Sequence, residues 1–303
     1  MNKHPVSAAL AAMLCGCASL GAGEDIGGVA PSYLEKMSAS VPNLQAIGRR
    51  FWTPALDEGF VPQGLTIAGD SILVSSYHPM PDLKSNTGPC TVFRIDMGRG
   101  NITGSFELPQ GECTHSGGLA YLGDNQLLLA DTRQLFRIDL AKAFETGKAQ
   151  GAMKAVKITG ELRGSFAGAN GSDAWIGTWT KDGQHAHLWR LKPGFFDEFD
   201  GQTVDEKQGA VESVPIPLEV QGLAFDGAGD PWVTASNGKW GKLYHLDRQG
   251  TIKAQFQMVA GLEDIEFDDL GRLWGLSESG TRKYMKWDTR FPNIFAIDVT
   301  RLR

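Results

Sequence analysis

From about residue 60 to the C-terminus, apolar and polar positions alternate with a period of two, the signature of strands with one buried face. Five segments repeat one plan: a small or polar pair, an apolar strand, a Gly/Asp/Asn turn, a second apolar strand, a polar excursion, and a third strand ending near Asp. The first runs from Gln63-Gly64-Leu65 through Ile72-Leu73-Val74 to Val92-Phe93-Arg94-Ile95-Asp96. The second runs from Gly117-Gly118-Leu119 through Leu127-Leu128-Leu129 to Leu135-Phe136-Arg137-Ile138-Asp139, and a degenerate third from Ser165-Phe166-Ala167 through Trp175-Ile176-Gly177 to Leu188-Trp189-Arg190-Leu191. The fourth joins Gln221-Gly222-Leu223, Trp232-Val233 and Leu243-Tyr244-His245-Leu246-Asp247; the fifth joins Glu263-Asp264-Ile265, Leu273-Trp274-Gly275 and Ile294-Phe295-Ala296-Ile297-Asp298. Their starts lie 42 to 56 residues apart, a spacing that suits a four-stranded propeller blade.

One blade cannot bury both of its faces, so the blades must pack around an axis and close into a ring. The pattern predicts an all-β fold, a β-propeller of five blades over residues 49–303, with a strand near Ala46 to Trp52 as the ring-closing clasp. A sixth blade assembled from the N-terminal segment and divergent pieces is the alternative. Trp175, Trp232 and Trp274 recur at equivalent second-strand positions, where large rings fill the widening gap between blades. Residues 18–48 read as a tether, with a short helix over Ser32 to Met37 beginning after Pro31.

The N-terminus does not continue the repeat. Lys3 and His4 precede an apolar stretch from Val6 to Leu14, too short to span a bilayer, and Leu14-Cys15-Gly16-Cys17 follows at once, as in a secretory signal. The tetrapeptide looks like a lipobox, with cleavage before Cys17 and acylation of that residue; an ordinary cleaved signal peptide is the alternative. Residues 1–17 are then signal and lipobox, and the mature protein is exported and tethered to a membrane by lipid alone. Ala18 resembles an outer-membrane sorting signal if the source is Gram-negative, which points to the periplasmic face of that membrane. Export leaves Cys90 and Cys113 in an oxidising compartment, where a disulfide is the expected outcome.

Composition narrows the partners. A net charge of −6 with no long basic run speaks against nucleic acid. A monomer that binds a small polar ligand or an envelope protein is the expectation.

The strings Val61-Pro62-Gln63-Gly64-Leu65, His115-Ser116-Gly117-Gly118-Leu119, Leu129-Ala130-Asp131-Thr132 and Gly261-Leu262-Glu263-Asp264, followed by Leu273-Trp274-Gly275-Leu276-Ser277-Glu278, resemble a group of secreted bacterial propeller proteins without an established activity. More distantly the chain is similar to calcium-dependent lactonases of the gluconolactonase and regucalcin type and to strictosidine-synthase-like propellers. The lactonases open with a Glu-Gly-Pro metal-ligand string where this chain has Pro62-Gln63-Gly64. Their later Asn and Asp ligand motifs find no clear counterpart.

Antiparallel strand order brings first-strand beginnings and second-strand ends to one face of a propeller. That nominates His115, Glu263 and Glu278 as acid–base or electrostatic groups, and Gln63, Tyr77, His78, Arg133, Gln221, Asn237 and Asp264 as ligand-binding groups around the channel mouth. Of the adjacent Glu263 and Asp264, one should enter the channel while the other braces a neighbour. Glu263, Asp264 and Glu278 together offer oxygen ligands of the kind calcium prefers, with Arg133 as the alternative compensating charge. His185 and His187 share a strand face as a weaker metal candidate. Three readings follow: a tethered binding protein, a lactonase- or esterase-like hydrolase, or a scaffold in envelope assembly.

Overall fold

The computed structural model describes residues 26–79 and 83–303; the lipobox lies outside them. Strand β1 (Ile47–Trp52) precedes five sheets, antiparallel but for one short parallel pair. Blade 1 holds β2 (Val61–Ala68), β3 (Ser71–Tyr77), β4 (Cys90–Asp96) and β5 (Ile102–Glu107). Blade 2 holds β6 (Gly118–Tyr121), β7 (Gln126–Asp131), β8 (Gln134–Asp139) and β9 (Met153–Ile158). Blade 3 holds β10 (Phe166–Asn170), β11 (Asp173–Gly177) and β12 (His187–Leu191); the two-residue β13 (Thr203–Val204) crosses to pair with β9, and β14 (Ala210–Pro215) completes the blade. Blade 4 is β15 (Val220–Phe225), β16 (Pro231–Ser236), β17 (Gly241–Leu246) and β18 (Ile252–Met258). Blade 5 takes β19 (Leu262–Phe267), β20 (Leu273–Ser277) and β21 (Asn293–Ile297) from the C-terminus, and β1 becomes its outer strand through Trp52↔Asn293 and Ile47↔Ile297. This clasp ties the two ends of the propeller together. The innermost strands β2, β6, β10, β15 and β19 contact one another in a closed ring, so the fold is a five-bladed propeller.

Apolar side chains fill the wedges between blades. Leu73, Val92 and Phe106 of blade 1 pack with Leu119, Leu129 and Phe136 of blade 2; each such fully buried side chain contributes roughly 1.5–3 kcal/mol. Trp274 is fully buried and stacks on Phe51 of the clasp at 5.7 Å. The turns between first and second strands repeat a device in blades 4 and 5. Asp226 Oδ1 accepts from the backbone N–H of Ala228 and Asp230, and its Oδ2 accepts from Trp232 Nε1 at 3.2 Å. Asp268 does the same with Leu270, Arg272 and Trp274 Nε1, the last at 2.9 Å. One carboxylate thus closes the turn and satisfies the buried indole.

The segment expected as a tether lies on the propeller, at least from residue 26. Its predicted helix over Ser32 to Met37 is absent: Ser32–Tyr33 form a turn, and the helical piece is a 3-10 turn at Leu44–Ala46. Tertiary contacts override the local preference. Ser32 N and Oγ donate to Asp57, Tyr33 Oη donates to Gly280 O at 3.0 Å, and Ser38 pairs with Arg290. His185 sits in a 3-10 turn rather than on the strand of His187, and its Nδ1 meets Glu161 at 2.7 Å.

Candidate functional site

Three innermost strands carry a β-bulge at the same height. Gln63 is the extra residue between Pro62↔Ser76 and Gly64↔Ser75, and Gln221 is the extra residue between Val220↔Ala235 and Gly222↔Thr234. Glu263 and Asp264 fall within the shift between Leu262↔Ser277 and Ile265↔Gly275. A bulge re-aims side chains out of the regular alternation, and here it turns polar groups toward the axis. The backbones can crowd there because glycine follows: a Cβ on Gly222 would lie 2.5 Å from Asp264 Cα.

Asp264 is the hub. Its carboxylate accepts from the backbone N–H of Leu65, Leu119, Leu223 and Ile265 at 3.0 to 3.2 Å, from blades 1, 2, 4 and 5. Burial pushes its carboxyl up, and the four N–H groups oppose that shift by favouring the anion. Both oxygens are committed to the ring closure. Asp264 is therefore the bracing member of the pair and is not free to ligate a metal.

Glu263 and Glu278 form the chemical core. Both are buried, and their carboxyls hydrogen-bond to each other. Gln63 Nε2 donates to Glu278 Oε2 at 2.9 Å, and Gln221 Nε2 donates to Glu263 Oε1 at 3.2 Å. Burial, then repulsion by Glu278, drives Glu263 well above the ordinary carboxyl range. Burial also raises Glu278 to about 8, against the pull of Gln63, Glu263 and Lys283. Two carboxyls so placed cannot both be ionised near neutral pH, as like charges in contact repel, and a proton stays between them. Oxygen donors of this kind suit calcium. The two carboxamides, however, turn N–H rather than carbonyl toward the carboxyls, which favours the anion against burial and leaves no amide oxygen for a cation.

Tyr77, His115, Lys283 and Tyr284 surround the pair. Tyr77 Oη is buried beside the phenol of Tyr284, while its ring lies 4.9 Å from the imidazole of His115 and 5.3 Å from Lys283 Nζ. Burial raises the phenol of Tyr77, and the Glu278 carboxylate adds to the shift. The Asp131 carboxylate accepts from the backbone N–H of Thr114, His115 and Ser116, fixing the His115 segment. His115 Nδ1 donates to Asn86 O at 2.6 Å. Burial lowers the imidazole's pKa, so the ring is neutral at pH 7 with Nε2 as its basic nitrogen. Lys283 Nζ donates to Asn86 Oδ1 at 2.6 Å and to Ser85 O, joining blade 1 to blade 5 above the channel. The Cys90–Cys113 disulfide, with its Cα atoms 5.7 Å apart, holds this loop against the His115 segment.

The other nominated residues lie elsewhere. Arg133 donates to Leu162 O and Gly160 O, so it closes a loop, and Lys283 is the cation beside Glu278. His78 stacks on Phe60 at 4.8 Å and bonds Glu58 O at 2.8 Å, outside the carboxyl cluster. Asn237 closes its own turn by accepting from Lys239 and Trp240 N–H, on a cleft shared with Trp179 and Trp287. Tyr284 and Trp287 went unnominated because they come from an insertion between the second and third strands of blade 5. Among the described residues, Asp226, Asp230 and His245 form the grouping dense enough for a metal. Lys253 Nζ stands 2.8 Å from Asp230 and 3.4 Å from His245, making it an ion-pair network.

No protein-family model and no curated protein matches the chain. Among solved structures it is similar to the PQQ-bound aldose sugar dehydrogenase of Streptomyces coelicolor, at 19% identity over 83% of this chain and 86% of that one, with a TM-score of 0.44. A protein assigned as a gluconolactonase shares 14% identity over 84% of this chain and 81% of its own, with a TM-score of 0.44. Virginiamycin B lyase from Staphylococcus aureus shares 14% over 76% and 67%, with a TM-score of 0.39.

Proposed function

We propose that the channel mouth binds a small polar ligand, in an exported protein held to a membrane by a lipid on Cys17, and that Glu263 and Glu278 are the groups the ligand engages. The proton-sharing carboxyl pair carries this reading. A buried carboxyl pair costs stability, and although its carboxamide bonds also join blades 1 and 4 to blade 5, Asp264 already closes the ring. Such a pair offers both a donor and an acceptor to a hydroxylated ligand.

A second reading, a lactonase- or esterase-like hydrolase, draws support from the same pair together with the neutral imidazole of His115. One carboxyl would donate a proton to a leaving oxygen and the imidazole would accept one from water. A calcium ion in this reading would be held by Glu263 and Glu278, with both carboxamides turned, and would polarise a carbonyl.

A thermal-shift screen of hydroxylated small molecules and sugar lactones, with and without calcium, tests both readings. Compounds that stabilise the parent should lose their effect on Glu278→Gln and Tyr77→Phe. Stabilisation that survives both substitutions would remove the mouth as the site. Turnover of a lactone, lost in Glu278→Gln, would select the hydrolase.

A further inference from the structure

Arg137, Arg190, Arg248, Arg272 and Arg282 each pair with a carboxylate. Arg133 and Arg163 pair with none, and the fold sets them side by side. Arg133 occupies the short turn between β7 and β8, and Arg163 stands in the loop between β9 and β10. Thr132 and Gly164 bridge antiparallel, exchanging backbone N–H bonds at 2.9 Å, and this register puts Arg133 opposite Arg163. Their Nη1 groups donate to the same two acceptors. Arg133 reaches Leu162 O at 3.0 Å and Gly160 O at 3.4 Å; Arg163 reaches Gly160 O at 2.7 Å and Leu162 O at 2.8 Å. One guanidinium would close this loop, and a second adds a like charge directly across from the first, which destabilises the pairing.

The acids of the neighbouring segments are engaged elsewhere. Glu206 accepts from the backbone N–H of Glu161 at 3.0 Å, and the Glu161 carboxylate meets His185 Nδ1 at 2.7 Å. Burial, then the charge of Arg133, holds Arg163 below the ordinary arginine value, and Glu161 opposes that shift from a distance. Only Nη1 of each guanidinium is spent on the carbonyls, so among the described residues both Nε–Nη2 edges are left without a partner. That edge is a fork able to grip an oxyanion through two parallel N–H···O bonds. Arg133 is exposed and Arg163 half-buried, so the pair is open to a ligand from solvent. It follows the end of β7 and precedes the start of β10, which places it on the mouth side of the propeller at the junction of blades 2 and 3.

We infer that Arg133 and Arg163 form an oxyanion site on this rim, and that its ligand is a phosphate group, free or carried as a monoester by a small molecule. A phosphate monoester bears a charge of about −1.5 to −2 at pH 7 and so matches both cations, whereas a carboxylate matches one. The site stands whether or not Glu263 and Glu278 engage a ligand. Isothermal titration of the full protein with inorganic phosphate and with glycerol phosphate, at low ionic strength, tests it, with acetate as the singly charged control. Both phosphates should bind at least about tenfold more tightly than acetate, and their affinity should fall as salt is raised. Arg133→Gln and Arg163→Gln combined should abolish binding. Arg133→Lys and Arg163→Lys each keep a charge and a donor for the carbonyls but lose the fork; each should melt near the parent's temperature and weaken binding at least about fivefold. No binding of either phosphate at about 10 mM, near the weak limit of specific recognition, equal binding of acetate, or binding unchanged in both Lys variants would each overturn the assignment.

Discussion

Replacing Glu278 by Gln should change how stability depends on pH. In the folded protein the Glu278 carboxyl is held at about 8, against an ordinary value of 4.5, because it is buried. The folded state therefore keeps a proton that the unfolded chain has already released. This group's contribution to stability is full below about pH 4.5 and is lost progressively as pH rises toward 8. The shift of roughly 3.5 units corresponds to a loss of about 5 kcal/mol across that window, at about 1.4 kcal/mol per pH unit. For a domain of this size that is on the order of 10 °C in melting temperature. Glu266, buried on the same strand and raised to about 7, adds a slope of the same sign, but it is present in parent and variant alike and cancels in the comparison. Denaturant unfolding at pH 5, 6, 7 and 8 should give a parent profile steeper than that of Glu278→Gln by about 1.4 kcal/mol per unit. Parallel profiles, or a parent whose stability rises over this range, would refute the reasoning.

Asp264→Asn should cost about 3 kcal/mol or more, because an amide cannot accept from four backbone N–H groups; equilibrium unfolding measures the loss. Replacing Cys90 and Cys113 together by Ser should cost roughly 3 kcal/mol by opening a loop of 23 residues, and free thiols in peptide maps of the oxidised parent would contradict the pairing. Cys17→Ala should leave the protein uncleaved or soluble; fractionation that finds it mature and membrane-bound would contradict the lipid anchor.

The five-blade plan was legible because period-two alternation and recurring Gly-Leu and Trp positions survive in each repeat, and the clasp expected near Ala46 to Trp52 appears at Ile47–Trp52. Strand polarity alone placed Gln63, Tyr77, His115, Gln221, Glu263 and Glu278 together. It could not tell which member of Glu263 and Asp264 faces the pair, since that depends on a bulge and on N–H groups from distant blades. Arg133 and His78 sit at second-strand ends like Tyr77, yet their loops lead them to local carbonyls. Tyr284 was hidden in an insertion that belongs to no repeat. The helix expected at Ser32 to Met37 gave way to contacts with Asp57 and Gly280, partners far along the chain.

The account rests on a proton shared by Glu263 and Glu278 at the channel mouth, and ¹³C NMR of the protein labelled at the glutamate carboxyl carbons tests it most directly. At pH 7 the account expects carboxyl signals at the position of the neutral acid that disappear in Glu263→Gln or Glu278→Gln and move when a mouth ligand from the thermal-shift screen is added. Glutamate carboxyls that all titrate between about pH 4 and 5, near the unperturbed value, with no response to that ligand, would contradict it.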